Sequence, residues 1–98
     1  MQQDNKIIAV ENIKRTLATT YQKQIENFFG DKKQALRFLS GVVASIQQTP
    51  GLLDCTPQSL INSFIVMAQA GFMPSAISGE AYVLPYKTKN GTVAQFQL

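Results

Sequence analysis

No histidine occurs in the 98 residues, which removes the usual general base and the commonest metal ligand. The acidic residues Asp4, Glu11, Glu26, Asp31, Asp54 and Glu80 are scattered, with no pair spaced for acid–base work or for a metal. Cys55 is the one cysteine and lacks the imidazole that usually activates a thiol. Gly71, Gly79 and Gly91 are too far apart for a phosphate loop or a dinucleotide fingerprint. These residues predict no enzyme activity, no cofactor and no metal. Binding is the chemistry that remains. Single strands are gripped by cations that follow the phosphates and by aromatic or polar groups set against the bases. Tyr82, Tyr86, Lys87, Lys89 and Gln95 are of these types and lie close together in the chain.

A hairpin has to position them. Residues 79–86 (GEAYVLPY) and 92–98 (TVAQFQL) are strand-like and flank Asn90-Gly91, the dipeptide suited to a two-residue turn whose central residues both take positive φ. Alternation puts Tyr82, Leu84 and Tyr86 on one face and Val83, Pro85 and Lys87 on the other. Two readings of the first face stay open. Either its rings meet a nucleic-acid strand, or Tyr82 and Leu84 fill the core beneath the sheet, the reading that residue type favours for Tyr82. Lys87 and Lys89 are likewise either phosphate ligands or a solubilising tip.

Three helices are predicted ahead of the hairpin. From about Val10 to Phe29, Val10, Ile13, Leu17, Tyr21, Ile25 and Phe28 recur at helical spacing, with Lys14, Arg15, Lys23 and Glu26 opposite. Gly30 ends this helix, and Thr16, Thr19 and Thr20 lower its propensity. Asp31 caps a second helix to about Gln48, with Gln34 completing a capping-box pattern. Leu36, Leu39, Val43 and Ile46 form one apolar row and Ala35, Phe38 and Val42 another, which makes this the expected central helix. Gly41, Ala44 and Ser45 offer a small face for close backbone approach. Lys32, Lys33 and Arg37 crowd its first turns, where positive charge opposes the helix dipole. They are either paired with acids or kept for a partner such as DNA. Thr49-Pro50-Gly51 breaks the chain, Leu52 and Leu53 tuck under the helices, and Thr56-Pro57 opens a third helix to Ala70. Gly71 suits its left-handed end, with Pro74 beyond. Met67 and Met73 are expected in the core, and Ser75–Ser78 lead into the hairpin.

Composition sets the bounds. A chain of this length makes one domain, residues 1–98, with a helical portion over 1–74 and a hairpin over 75–98. It would bury about 60 to 65 per cent of its unfolded surface. With 45% hydrophobic and 15% charged residues it reads as globular. The net charge of +3 permits a polyanion partner without demanding one. A lone cysteine, expected to be buried, is compatible with a reducing cytosol. The polar start, residues 1–6, is expected to fray and carries no signal peptide or membrane span, so a cytoplasmic protein with no membrane partner is expected.

The run AQAGFMP (68–74), then GEAYVLPY (79–86), a lysine-bearing turn and VAQFQL (93–98) resembles the start of the conserved core of the RecT family. These are phage and prophage single-strand annealing proteins. The resemblance covers roughly the last third of the chain, and the helix from Thr56 to Ala70 fits it less sharply. It implies an α+β fold in which three helices precede a β-hairpin that begins an incomplete antiparallel sheet, because the family's second strand runs on past the position of Leu98. It also implies ATP-independent annealing of single-stranded DNA in homologous recombination, by a homo-oligomer working with a partner phage exonuclease. By the same likeness Lys87 and Lys89 meet phosphates and Tyr86 packs near the strand; residue type and charge, not the likeness, add Tyr82, Gln95, Lys32, Lys33 and Arg37 as further candidate DNA contacts. The rival expectation is a self-associating protein-interaction module with little DNA binding of its own.

Overall fold

The first helical stretch breaks just after Thr19. In the computed structural model, which describes the backbone of residues 2–74 and 81–98 and the side chains of 9–74 and 81–98, that stretch is two helices. They are α1 (Gln2–Thr19) and α2 (Gln22–Phe29). The Thr19 hydroxyl donates back to the Arg15 carbonyl at 2.8 Å, a bond that competes with the helix and bends it. Tyr21 leaves helical geometry at φ −111 and ψ 11, and α2 restarts at Gln22. Among the described residues four α-helices therefore precede the sheet. α1 also starts well before Val10 and takes in residues expected to fray. The anticipated stripe survives the break: Val10, Ile13, Leu17 and Ile25 are buried, with Tyr21 and Phe28 packed against them. Gly30 ends α2 as expected.

α3 (Lys32–Gln48) begins where the Asp31 carboxylate accepts the Gln34 N–H at 2.7 Å. Ala35, Phe38, Leu39, Val42 and Ile46 are buried on it, and the Phe38 ring sits 5.3 Å from that of Phe29. Leu36 departs from expectation and is 64% exposed, because the buried arc centres on Phe38 and Val42 and leaves Leu36 beyond its edge. The small face is used as anticipated. A Cβ on Gly41 would lie 2.8 Å from the Pro74 carbonyl oxygen, so only glycine admits that approach.

After a 3₁₀ turn at Leu52–Asp54, which buries Leu52, α4 runs from Pro57 to Gln69. The Thr56 hydroxyl accepts the Ser59 N–H, and the Ser59 hydroxyl donates to the Thr56 carbonyl at 2.8 Å. The helix closes with Phe72 N–H on the Met67 carbonyl and Gly71 N–H on that of Ala68, the paired bonds that need the left-handed φ of 85 at Gly71. Leu60, Phe64, Met67 and Ala68 are essentially without solvent contact. α4, and not α3, is the central helix: it packs on α1, α2 and both strands, whereas α3 packs chiefly on α1 and α2. Two hydrophobic faces on one helix require both a helical layer and a sheet to cover them.

The sheet is the antiparallel pair β1 (Tyr82–Thr88) and β2 (Gly91–Gln97), so the fold class is α+β. Its turn differs from the expected one. Thr88 pairs with Gly91, which makes Lys89 and Asn90 the central residues, and no non-glycine residue has positive φ among those described. The Thr88 hydroxyl accepts the Asn90 N–H at 3.2 Å and donates to the Gly91 carbonyl at 2.7 Å. That local bonding holds the turn one residue earlier and leaves only Gly91 with a left-handed φ, 126. Met1, the Ser75–Ser78 connection, Gly79 and Glu80 lie outside the described residues.

Candidate nucleic-acid interface

The register of the hairpin sorts its side chains. Tyr82 faces Gln97, Leu84 faces Gln95 and Tyr86 faces Val93, and these six make the outer face. Tyr82 and Tyr86 are 39% and 40% exposed, and Gln95 is exposed between their levels. The two tyrosines are four positions apart along the strand, about 13 Å. The alternative that Tyr82 fills the core is overturned. Val83 and Ala94 fill it, at 3% and 7% exposure, and the Phe96 ring, from the same inner row, lies 6.2 Å from that of Phe72.

The inner face is fixed by α4 and by the chain leading into it. The Ser63 hydroxyl, buried, donates to the Ala94 carbonyl at 2.9 Å. The Ala94 N–H donates to the Ser59 hydroxyl at 3.0 Å. Thr56 N–H donates to the Thr92 carbonyl at 3.1 Å, and Cys55 bridges to Thr92 in parallel sense. β2 thus has its outward backbone groups taken at Thr92 and Ala94. With the inner face clasped in this way, period two leaves the tyrosines no alternative to the outer one. Ser59 and Ser63 were not singled out in the sequence, though two serines four apart on an apolar helix face are the signal that would have found them.

Lys87 and Lys89 are both exposed at the turn end of the hairpin. Lys87 pairs with Thr92 and so belongs to the row of Val83 and Pro85, beyond the point where that row is covered. Lys89 is in the turn itself. Lys87 thus projects from the side opposite the tyrosines and Lys89 from the turn, so the cations stand at the turn end of the hairpin, beyond an outer face that is uncharged along its length. Lys32, Lys33 and Arg37 are exposed as well, on the first turns of α3. That helix packs mainly on α1 and α2, while the sheet packs on α4 and the Leu52–Asp54 turn. The two basic groups stand on separate layers.

Cys55 is buried and free. Burial, and secondarily the Asp54 carboxylate, push its thiol above the ordinary 9.0, which keeps it protonated and unreactive. Among the described residues no three His, Cys, Asp or Glu side chains converge as a metal site would require, and no helix is long and apolar enough to cross a membrane.

The sequence model of the RecT family matches residues 36–98, more than half of the chain. The chain belongs to the RecT family. No curated protein and no solved structure matches it. The RecT segment reaches further towards the N-terminus than residues 68–98 alone suggested, taking in nearly all of α3, α4 and the hairpin. It includes Arg37, Tyr82, Tyr86, Lys87, Lys89 and Gln95, and leaves out Lys32 and Lys33. RecT membership points to a role in recombination by strand annealing.

Proposed function

We propose that the chain binds single-stranded DNA across the outer face of its hairpin and takes part in annealing that strand to a complement without nucleotide hydrolysis. The observation that carries this reading is the pair Tyr82 and Tyr86, exposed in one row, with Lys87 and Lys89 exposed at the turn end of the same hairpin, all inside the RecT segment. The roles follow from residue chemistry. Lys87 and Lys89 meet phosphates, Tyr82 and Tyr86 offer ring faces to bases, and Gln95 offers its amide to a base or sugar edge. Stacking on one face leaves the pairing edges of the bases open to a second strand, which annealing demands.

Magnitudes say which contact matters more. Two phosphate contacts give a single-strand salt slope of only about −1.4, while each stacked base contributes about 1–3 kcal/mol. Grip by one copy is therefore weak and mostly aromatic, and many copies along one strand are needed for tight binding. This fits a homo-oligomer in a cytoplasmic recombination system, with a partner phage exonuclease supplying the single strand.

The test is fluorescence anisotropy of a labelled single-stranded oligonucleotide at several salt concentrations, for the wild type and for Lys87→Ala with Lys89→Ala. The expected result is salt-sensitive binding whose slope falls by about 1.4 in the double variant. An unchanged slope would remove the lysines from the site. No binding by a folded, self-associated chain would assign it to assembly instead.

A further inference from the structure

The two ends of α3 carry surfaces of opposite kind. At its start Leu36 is, among the described residues, the most exposed large apolar side chain within the helices, at 64%. Lys32 and Lys33 lie four and three positions before it, on the same side of the helix, and Arg37 follows it. All three are exposed. The nearest acid in sequence, Asp31, has a carboxylate oxygen engaged by the Gln34 N–H. At the other end, Ile46 joins Val10, Pro50 and Leu53 in lining a cleft of ~290 Å³. Among the described residues its other lining includes Glu11 and Asp54, both exposed, and no lysine or arginine.

We propose that Leu36 of one copy seats in the Val10–Ile46–Leu53 cleft of a second copy, with Lys32, Lys33 and Arg37 meeting Glu11 and Asp54 around it. Three observations fit this occupant together. An apolar knob ringed by cations matches an apolar cleft bordered by carboxylates, in shape and in sign. The cleft has ample room to admit a leucine side chain. Both partners of the contact are present on every copy, about 15 Å apart along α3.

Because knob and cleft are different surfaces, the contact is heterologous. It does not close as a dimer but continues as a chain or ring of copies. The hairpin tyrosines take no part, so the outer face stays free in such an assembly. The proposal does not rest on DNA binding. It also gives Lys32 and Lys33, which lie outside the RecT segment, a partner other than DNA.

The experiment is sedimentation velocity on the full chain without DNA, over a range of protein and salt concentrations. The expected average mass rises with protein and falls with salt. Leu36→Asp and Asp54→Lys should each weaken association by about thirtyfold, the loss typical of a central interface residue. Both sites are exposed, and Leu36→Gln replaces the first variant if it does not fold. The deciding arm mixes the two variants. Leu36→Asp keeps an intact cleft and Asp54→Lys an intact knob, so the mixture should form a one-to-one dimer and nothing larger. A wild type that is monomeric throughout, a Leu36 variant that assembles as the wild type does, or a mixture that forms no dimer would each overturn the proposal.

Discussion

On the inner face of the hairpin Ala81, Val83 and Ala94 have almost no solvent contact, while on the outer face Tyr82 and Tyr86 keep about two-fifths of theirs. The deepest residues are the small ones, and of the hairpin's three rings only Phe96 lies inward, against Phe72, while both tyrosines lie outward, the reverse of what hydrophobicity alone would arrange. Approach distance explains the inner face. A small Ala94 lets α4 come near enough for the Ser63 and Ser59 hydroxyls to bond its carbonyl and N–H. Among the described residues nothing comparable covers the outer face, so its rings keep a π-surface for another molecule. Substitutions within the inner layer should therefore change stability, and those on the outer face should change binding.

The largest effect is expected in the inner layer. Phe64 on α4 has 0% exposure in the hydrophobic core, and Phe64→Ala should cost about 3–5 kcal/mol from lost burial and the cavity left behind. The denaturant midpoint measures this. A loss below about 1 kcal/mol would mean that helix and sheet are not packed as described. On the outer face the reverse pattern is expected. Tyr82→Ala with Tyr86→Ala should shift the midpoint by no more than about 0.5 kcal/mol per site, yet weaken oligonucleotide binding by about 1–3 kcal/mol for each stacked base lost. Equal damage to stability and binding would erase the distinction between the faces.

A smaller effect probes the clasp that separates them. Ser63→Ala removes the hydroxyl that bonds the Ala94 carbonyl and leaves that carbonyl unpaired in a buried setting, at a cost of about 1–3 kcal/mol. Ser59→Ala tests the other half. The Ser59 hydroxyl accepts from Ala94 and donates to Thr56, so it relays one backbone group to another. Hydrogen exchange at the Ala94 amide should speed up in Ser59→Ala more than at the β1–β2 ladder amides. Uniform acceleration would indicate that the sheet opens as one unit and that the clasp has no local role.

Much of this was legible from residue pattern. Asp31 and Thr56 announce helix starts because each offers a side-chain oxygen three residues before a free N–H. Gly71 with Pro74 announces an end. Alternation from Tyr82 to Lys87 gave the two faces of β1, but not which of them is inward. That choice is made by α4, whose serines meet Ala94 from a distance in sequence that no local pattern reports. The break at Thr20–Tyr21 was missed because the apolar stripe continues across it in phase, so periodicity registers one helix where side-chain bonding makes two. Leu36 was misplaced for a related reason: spacing assigns a row, but only the neighbouring helices determine how wide an arc of α3 is covered. The separation of Lys32, Lys33 and Arg37 from the hairpin lysines is likewise tertiary. It follows from α4, and not α3, carrying the sheet.

The finest test concerns Cys55, which joins β2 through its bridge to Thr92 and lies on the buried side of the comparison. Burial first, and the Asp54 carboxylate second, raise its folded-state pKa above 9.0. The folded state then holds its proton where the unfolded chain has begun to lose it. By linkage, this thiol makes no difference to stability well below pH 9.0 and lowers it as pH rises from about 9.0 towards the folded value. Denaturant midpoints measured from pH 8 upward should accordingly fall more steeply in the wild type than in Cys55→Ala, whose remaining slope reports every other titrating group. Asp54→Asn removes the lesser cause and should flatten the wild-type slope only in part. If the two curves ran parallel through the alkaline range, the thiol would be ionising as freely in the folded protein as in the unfolded chain. In that case the edge of β2 near Thr92 would be open to water, and the dry inner face would end at Ala94.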